Sequence, residues 1–173
     1  MKWRDDDMNN IKRITRHLVA APWQVKRAFP RYALTAIEKA IAASEATHAG
    51  QIRFAVEGAL HSAPLFKRQS ARERAIEVFS LLRVWDTEHN NGVLIYLLLA
   101  DRSVEIVADR GVDAKVGATE WDSICRNLEA EFKQGKFEAG VTSGIDAVTR
   151  HLAIHFPAHG ARRNELPDKP VLL

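Results

Sequence analysis

The stretch from Asn91 to Gly111, NGVLIYLLLADRSVEIVADRG, constrains this chain more than any other. Its first half is apolar at nearly every position, the pattern of a strand covered on both faces. Its second half alternates, with Val104, Ile106 and Ala108 on one side and Ser103, Glu105 and Val107 on the other, as a strand nearer an edge does. The short polar link Asp101-Arg102 predicts a hairpin between them. A buried strand paired with a half-buried one requires a sheet with helices packed against it.

The rest of the chain supplies those helices. Ala33 to His48 is Ala-rich, with Leu34, Ile37 and Ile41 at helical spacing, and Gln51 to Glu57 alternates Ile52, Phe54 and Val56 as a first strand. Gly58 to Gln69, with Pro64, reads as a loop. Ser70 and Glu73 stand three apart in the capping-box pattern and open a helix carrying Ala75, Val78, Phe79, Leu82 and Trp85. After Gly111 come two helices, one with Trp121, Ile124, Cys125, Leu128 and Phe132, the other with Phe137, Val141, Ile145, Val148 and Leu152. The order (αα)αβαββαα joins the first two strands by a right-handed parallel crossover and adds the hairpin strand antiparallel. The fold class is therefore α/β: a small mixed sheet covered by helices on both faces, with an N-terminal helical extension.

Three segments follow. Residues 1–32 hold eight Lys/Arg against three Asp, a net +5 that leaves the remainder near −2. Met8 to Ala20 reads as a basic amphipathic helix with Ile11, Ile14 and Leu18 as its apolar positions. Pro22 starts a short second helix with Trp23 and Phe29, and Pro30 stops it. Residues 33–157 form the α/β domain, and 158–173, with Pro167 and Pro170, are expected to be a polar extended tail.

Several function classes drop out. The longest apolar run, Val93 to Ala100, is far short of the ~20 residues of a membrane helix. A single cysteine excludes an internal disulfide framework, and no secretory signal is read at the start, so a cytoplasmic setting, with the inner membrane surface as a place of attachment, is expected. The basic arm carries too few cations, without interleaved aromatics on a strand, for nucleic acid. No nucleophile elbow or phosphate loop is present.

Phe79-x-x-x-x-Val84-Trp85, the Asn-Asn-Gly-Val-Leu-Ile opening of the buried strand, Asp101-Arg102, Glu105-Ile106 and Gly111 together resemble the TPM domain, named for a thylakoid lumen protein, a photosystem II repair protein and a modulator of an acetylcholine receptor. Phe132-x-x-Gly135-x-Phe137-x-x-Gly140 is similar to that family's late segment, and the resemblance spans residues 33–156. It implies the same helix-covered mixed sheet. For function it implies a loose set, since members include membrane-tethered or exported proteins, acid phosphatases and divalent-metal binders.

Topology gathers one candidate site. The start of the central strand and the end of the returning one share an end of the sheet, where Asp86, Glu88, His89, Asn90 and Asn91 meet Asp109, Arg110 and Asp113. Carboxylates with amide oxygens suit Ca2+ or Mg2+. Asp86, Glu88, Asp109 and Asp113 are the expected metal ligands, with Asn90, Asn91 and Arg110 binding ligand; the other reading is a solvated loop of turn-forming residues. The opposite end, with Glu57, Gly58, His61 and the Asp101-Arg102 turn, is the minor candidate, because ligands in open α/β sheets favour the carboxyl ends of parallel strands. His151, His155 and His159 recur every four residues, but Pro157 ends the helix between the last two. Cys125 reads as a buried thiol, Trp85 and Trp121 as core anchors, Trp3 and Trp23 as interface residues.

The leading expectation is a binding or accessory module. Its N-terminal helices would dock a protein partner, a second copy of the chain or a membrane surface. The alternative is a metal-dependent phosphatase using the acidic rim.

Overall fold

The computed structural model describes residues 2–19, 22–61, 65, 68–158 and 164–173. Pro64 and His159 lie outside them. Helices α1 (Lys2–Val19), α2 (Pro22–Ala28) and α3 (Arg31–Glu45) precede strand β1 (Gln51–Glu57), and helix α4 (Ala71–Leu81) leads into β2 (Gly92–Leu98) and β3 (Ser103–Ala108). Helices α5 (Arg110–Val116), α6 (Ala118–Lys133) and α7 (Phe137–His155) follow, and β4 (Val171–Leu172) closes the chain.

The sheet order is β3-β2-β1-β4. β1 runs parallel to β2, with Gln51 opposite Gly92 and Glu57 opposite Leu98, and β2 runs antiparallel to β3, with Val93 opposite Ala108. Every residue of β1 and β2 is buried, while β3 alternates, as hydrophobic patterning on a two-sided sheet requires. One face, with Phe54, Ile95 and Ile106, packs beneath residues of α2, α3, α6 and α7, among them Val25, Ile37, Leu128 and Val148. The other, with Ala55, Leu94, Tyr96 and Val107, packs on α4 through Ala75, Val78 and Phe79. Ser70 caps α4 as the spacing predicts: its hydroxyl accepts from Glu73 N–H at 3.1 Å and Glu73 Oε2 accepts from Ser70 N–H at 2.8 Å.

Four local expectations are corrected. The hairpin turns through Leu99–Arg102 rather than two residues, with Arg102 N–H donating to the Leu99 carbonyl at 3.1 Å and Arg102 at φ 55°. Helix α5 is too short for its periodicity to register in the sequence. Trp85 stands just past the end of α4 and is 48% exposed, whereas Trp121 is buried as expected. The segment read as a polar tail instead follows β1. Glu165 and Leu166 N–H groups donate to Gln51 Oε1 at 2.8 and 2.9 Å, and Val171 and Leu172 pair in parallel with Ala55 and Val56.

Candidate functional site

The acidic rim begins where α4 ends. Val84 N–H donates to the Phe79 carbonyl at 3.0 Å and Arg83 N–H to that of Ser80 at 3.1 Å, with Arg83 at φ 54°. This pair of bonds is a Schellman motif, and it accounts for the spacing of Phe79 and Val84, which sit where that motif places its apolar contact. Beyond it, Asn91 is fully buried: its N–H donates to Thr87 Oγ1 at 3.1 Å and its Nδ2 to the Ala49 carbonyl at 2.9 Å. Asn90 takes φ 51° and its carbonyl accepts from Gly111 N–H at 3.1 Å. Asp109 N–H donates to the Gly92 carbonyl at 2.8 Å, and Asp109 Oδ1 accepts from Arg110 N–H at 2.7 Å to cap α5.

Two glycines let this join close. A Cβ on Gly92 would overlap the Val84 carbonyl oxygen, and one on Gly111 would stand 2.5 Å from that of Asn90. Asn90, Asn91, Gly92 and Gly111 thus tie the loop before β2 to the start of α5.

The rim brings its candidates to one end but not into one cluster. Asp86, Glu88, Asn90, Arg110 and Asp113 are exposed, while Asn91 and Asp109 are buried. Among the described residues no group of three or more His, Cys, Asp or Glu could hold a metal ion. The buried oxygens left without a hydrogen-bond partner here are Asp109 Oδ2 and Asn91 Oδ1. Elsewhere, His151 Nε2 lies 3.9 Å from Glu120, and the His155 carbonyl accepts from Lys115 Nζ at 3.2 Å. Cys125 is half-buried, and that burial, with Glu105 nearby, pushes its thiol up to about 12. It therefore stays protonated at neutral pH.

The opposite end is richer in charge. Glu57, at the carboxyl end of β1, is buried and accepts from Arg74 Nε and Nη2 at 2.8 and 3.1 Å and from the Tyr96 hydroxyl at 2.7 Å. Burial first, then the Glu57 charge, raises the Tyr96 phenol. Beside this cluster, Asp101 in the hairpin turn anchors α1. Its carboxylate accepts from Arg13 Nε at 2.9 and 3.1 Å and from His17 Nε2 at 2.9 Å. Leu60 N–H donates to His17 Nδ1 at 2.9 Å, which leaves Nε2 to carry the imidazole proton. Burial works to raise the Asp101 carboxyl, but the bonds from Arg13 and His17 outweigh it and hold it below the usual range.

This anchoring sets the orientation of α1. Arg13 and His17 face the body and Ile14 packs against the α4 side, leaving Ile11, Leu18 and Val19 exposed at 62%, 67% and 69%. The expected stripe of Ile11, Ile14 and Leu18 is therefore divided between two surroundings. The anchor has a counterpart in the sequence: Arg13, Arg16 and His17 share a helix face, and two guanidiniums with an imidazole donor suit an acidic receptor, here Asp101.

A family model described as TPM domain, whose name carries the word phosphatase, matches residues 28–151. The NMR structure of the BA42 protein from the psychrophilic bacterium Bizionia argentinensis is similar at 30% identity and TM-score 0.72, covering 82% of this chain and 92% of that one. The N-terminal domain of a protein from P. gingivalis is similar at 18% identity and TM-score 0.56, covering 70% and 76% of the two chains, a likeness of fold. Among curated proteins none matches.

Proposed function

Given that this chain belongs to the TPM domain family, we propose that it is a binding module that lays helix α1 on an anionic membrane surface. The observation that carries this reading is the outward face of α1. Ile11, Leu18 and Val19 are exposed on it, with Lys12 beside them, while the polar contacts of the helix are turned inward to Asp101. Apolar side chains flanked by cations bind an interface by sinking the first into the acyl boundary and holding the second at the headgroups. The arm's net +5 suits an anionic surface rather than a neutral one. No helix among the described residues is long and apolar enough to cross a membrane.

Sedimentation of the full chain with phosphatidylglycerol vesicles tests this. Binding should be strong, weak with phosphatidylcholine vesicles, and reduced at least tenfold in an Ile11→Ser/Leu18→Ser variant. Equal binding to both vesicle types, or none, removes the reading. A dimer in solution that the same variant dissociates would assign the face to a second copy of the chain.

A second reading, a divalent cation at the rim orienting a phosphate, draws support from the unpartnered Asp109 Oδ2 and Asn91 Oδ1. Two such oxygens fall well short of the about six to eight that Ca2+ takes. Ca2+ and Mg2+ titrations followed by backbone amide shifts test it. Saturable shifts confined to residues 86–91 and 109–113 support it, and their absence at millimolar cation removes it.

A further inference from the structure

At the carboxyl end of β2, away from the acidic rim, lies a groove of about 1380 Å³. Its floor is apolar: Leu97 from the central strand, Leu99 just beyond it, Ala33 from α3, and Phe132 and Phe137 from the end of α6 and the start of α7. The last two stack with ring centroids 5.4 Å apart, and Phe137 meets Phe29 edge-on at 5.6 Å, so the floor is continuous with the core. Trp23 on α2 and Tyr32 at the start of α3 rise from one wall, 55% and 72% exposed.

Charge around this floor is unequal. Arg27, Arg102, Lys133 and Lys136 line the groove against Glu129 and Glu138. Glu129 already accepts from Val104 N–H at 3.1 Å. The side chains of Arg27, Arg102 and Lys133 make no hydrogen bond or ion pair among the described residues, and the Lys136 ammonium has only Glu131 at 3.8 Å.

We infer that this groove binds an acidic peptide segment carrying an aromatic or large aliphatic anchor. The excess of unpaired cations attracts carboxylates and steers them in. Exposed Trp and Tyr flanking an apolar floor, with Arg at the rim, are the residue types that dominate the energy of peptide and protein interfaces. The volume exceeds the roughly 300–1,000 Å³ of a small-molecule pocket and suits a length of chain. A single-stranded nucleic acid is the less favoured occupant. Its binding rests on many phosphate contacts, whereas four cations share this groove with two carboxylates. The inference uses α2 and two turns rather than the outward face of α1, so it stands or falls apart from membrane attachment.

The probe is an eight-residue peptide of Glu and Asp containing one Phe and one Leu, added to the full ¹⁵N-labelled chain. Amide shifts should be confined to residues 23–33, 99–102 and 129–138. They should weaken as salt is raised and be absent with the Lys-for-Glu/Asp counterpart. Arg27→Glu/Arg102→Glu should lower affinity at least tenfold and Trp23→Ala severalfold, each with the unbound spectrum otherwise preserved, while Asp86→Asn leaves binding unchanged. The inference is overturned by absence of shifts in those residues at millimolar peptide, by unchanged affinity in the charge-reversed double variant, or by an oligothymidylate binding the groove more tightly than the peptide.

Discussion

At Gly92 the obstacle to any side chain is backbone, the Val84 carbonyl, so no rotamer change relieves it. Gly92→Ala should lower stability by about 1–3 kcal/mol, the range of an overpacked core, read as a lower urea midpoint. The exposed Asp86→Asn should stay within about 0.5 kcal/mol of the parent. The cluster around Glu57 makes a second prediction. With Arg74 removed, a buried carboxylate keeps only the Tyr96 hydroxyl. Arg74→Met should therefore cost about 3–5 kcal/mol, and adding Glu57→Gln should recover part of it, in a double-mutant cycle by chemical denaturation. Neither effect could be read locally. The Asn-Asn-Gly motif was recognisable as a pattern, but its reason is the Val84 carbonyl eight residues upstream and, for Gly111, the Asn90 carbonyl. Trp85 misled because it continues the apolar spacing of α4 but lies two residues beyond Arg83, where the chain has already turned away.

Among the elements, those with long periodic patterns were legible: both buried strands, α3, α4, α6 and α7 stand where their apolar spacing put them. What periodicity could not decide was which face of α1 would dock, because a single partly buried carboxylate at Asp101 draws Arg13 and His17 inward and leaves Ile11 and Leu18 outside. That anchor makes docking of α1 pH-dependent with a definite sign. The folded carboxyl of Asp101 sits below its ordinary value. Its contribution is thus complete above the ordinary carboxylate range and is lost as pH falls through the depressed value. Hydrogen-exchange protection of α1 amides, referenced to those of α3, should be flat from neutral pH down to the carboxylate range and then fall. Asp101→Asn should show the weakened protection even at pH 7.

For the whole molecule, the sheet's two edges are treated differently. β3 forms one edge, with intermediate exposure at Ser103, Glu105 and Ala108, whereas β1 is covered along its length by residues 165–173. Without that cover β1 would present a row of free amides and carbonyls on a fully buried strand, a template for pairing with another chain. Removing residues 171–173 should produce concentration-dependent self-association by light scattering, and adding Lys at the shortened end should reduce it. The sequence could not announce this cover, because two paired residues are below the length at which alternation is detectable. One more consequence follows from the turn Leu99–Arg102. A single peptide bond separates the carboxylate that moors α1 from the guanidinium that rims the groove. If any cargo reshapes that corner, thermodynamic reciprocity requires the mooring to loosen or tighten the cargo by the same factor.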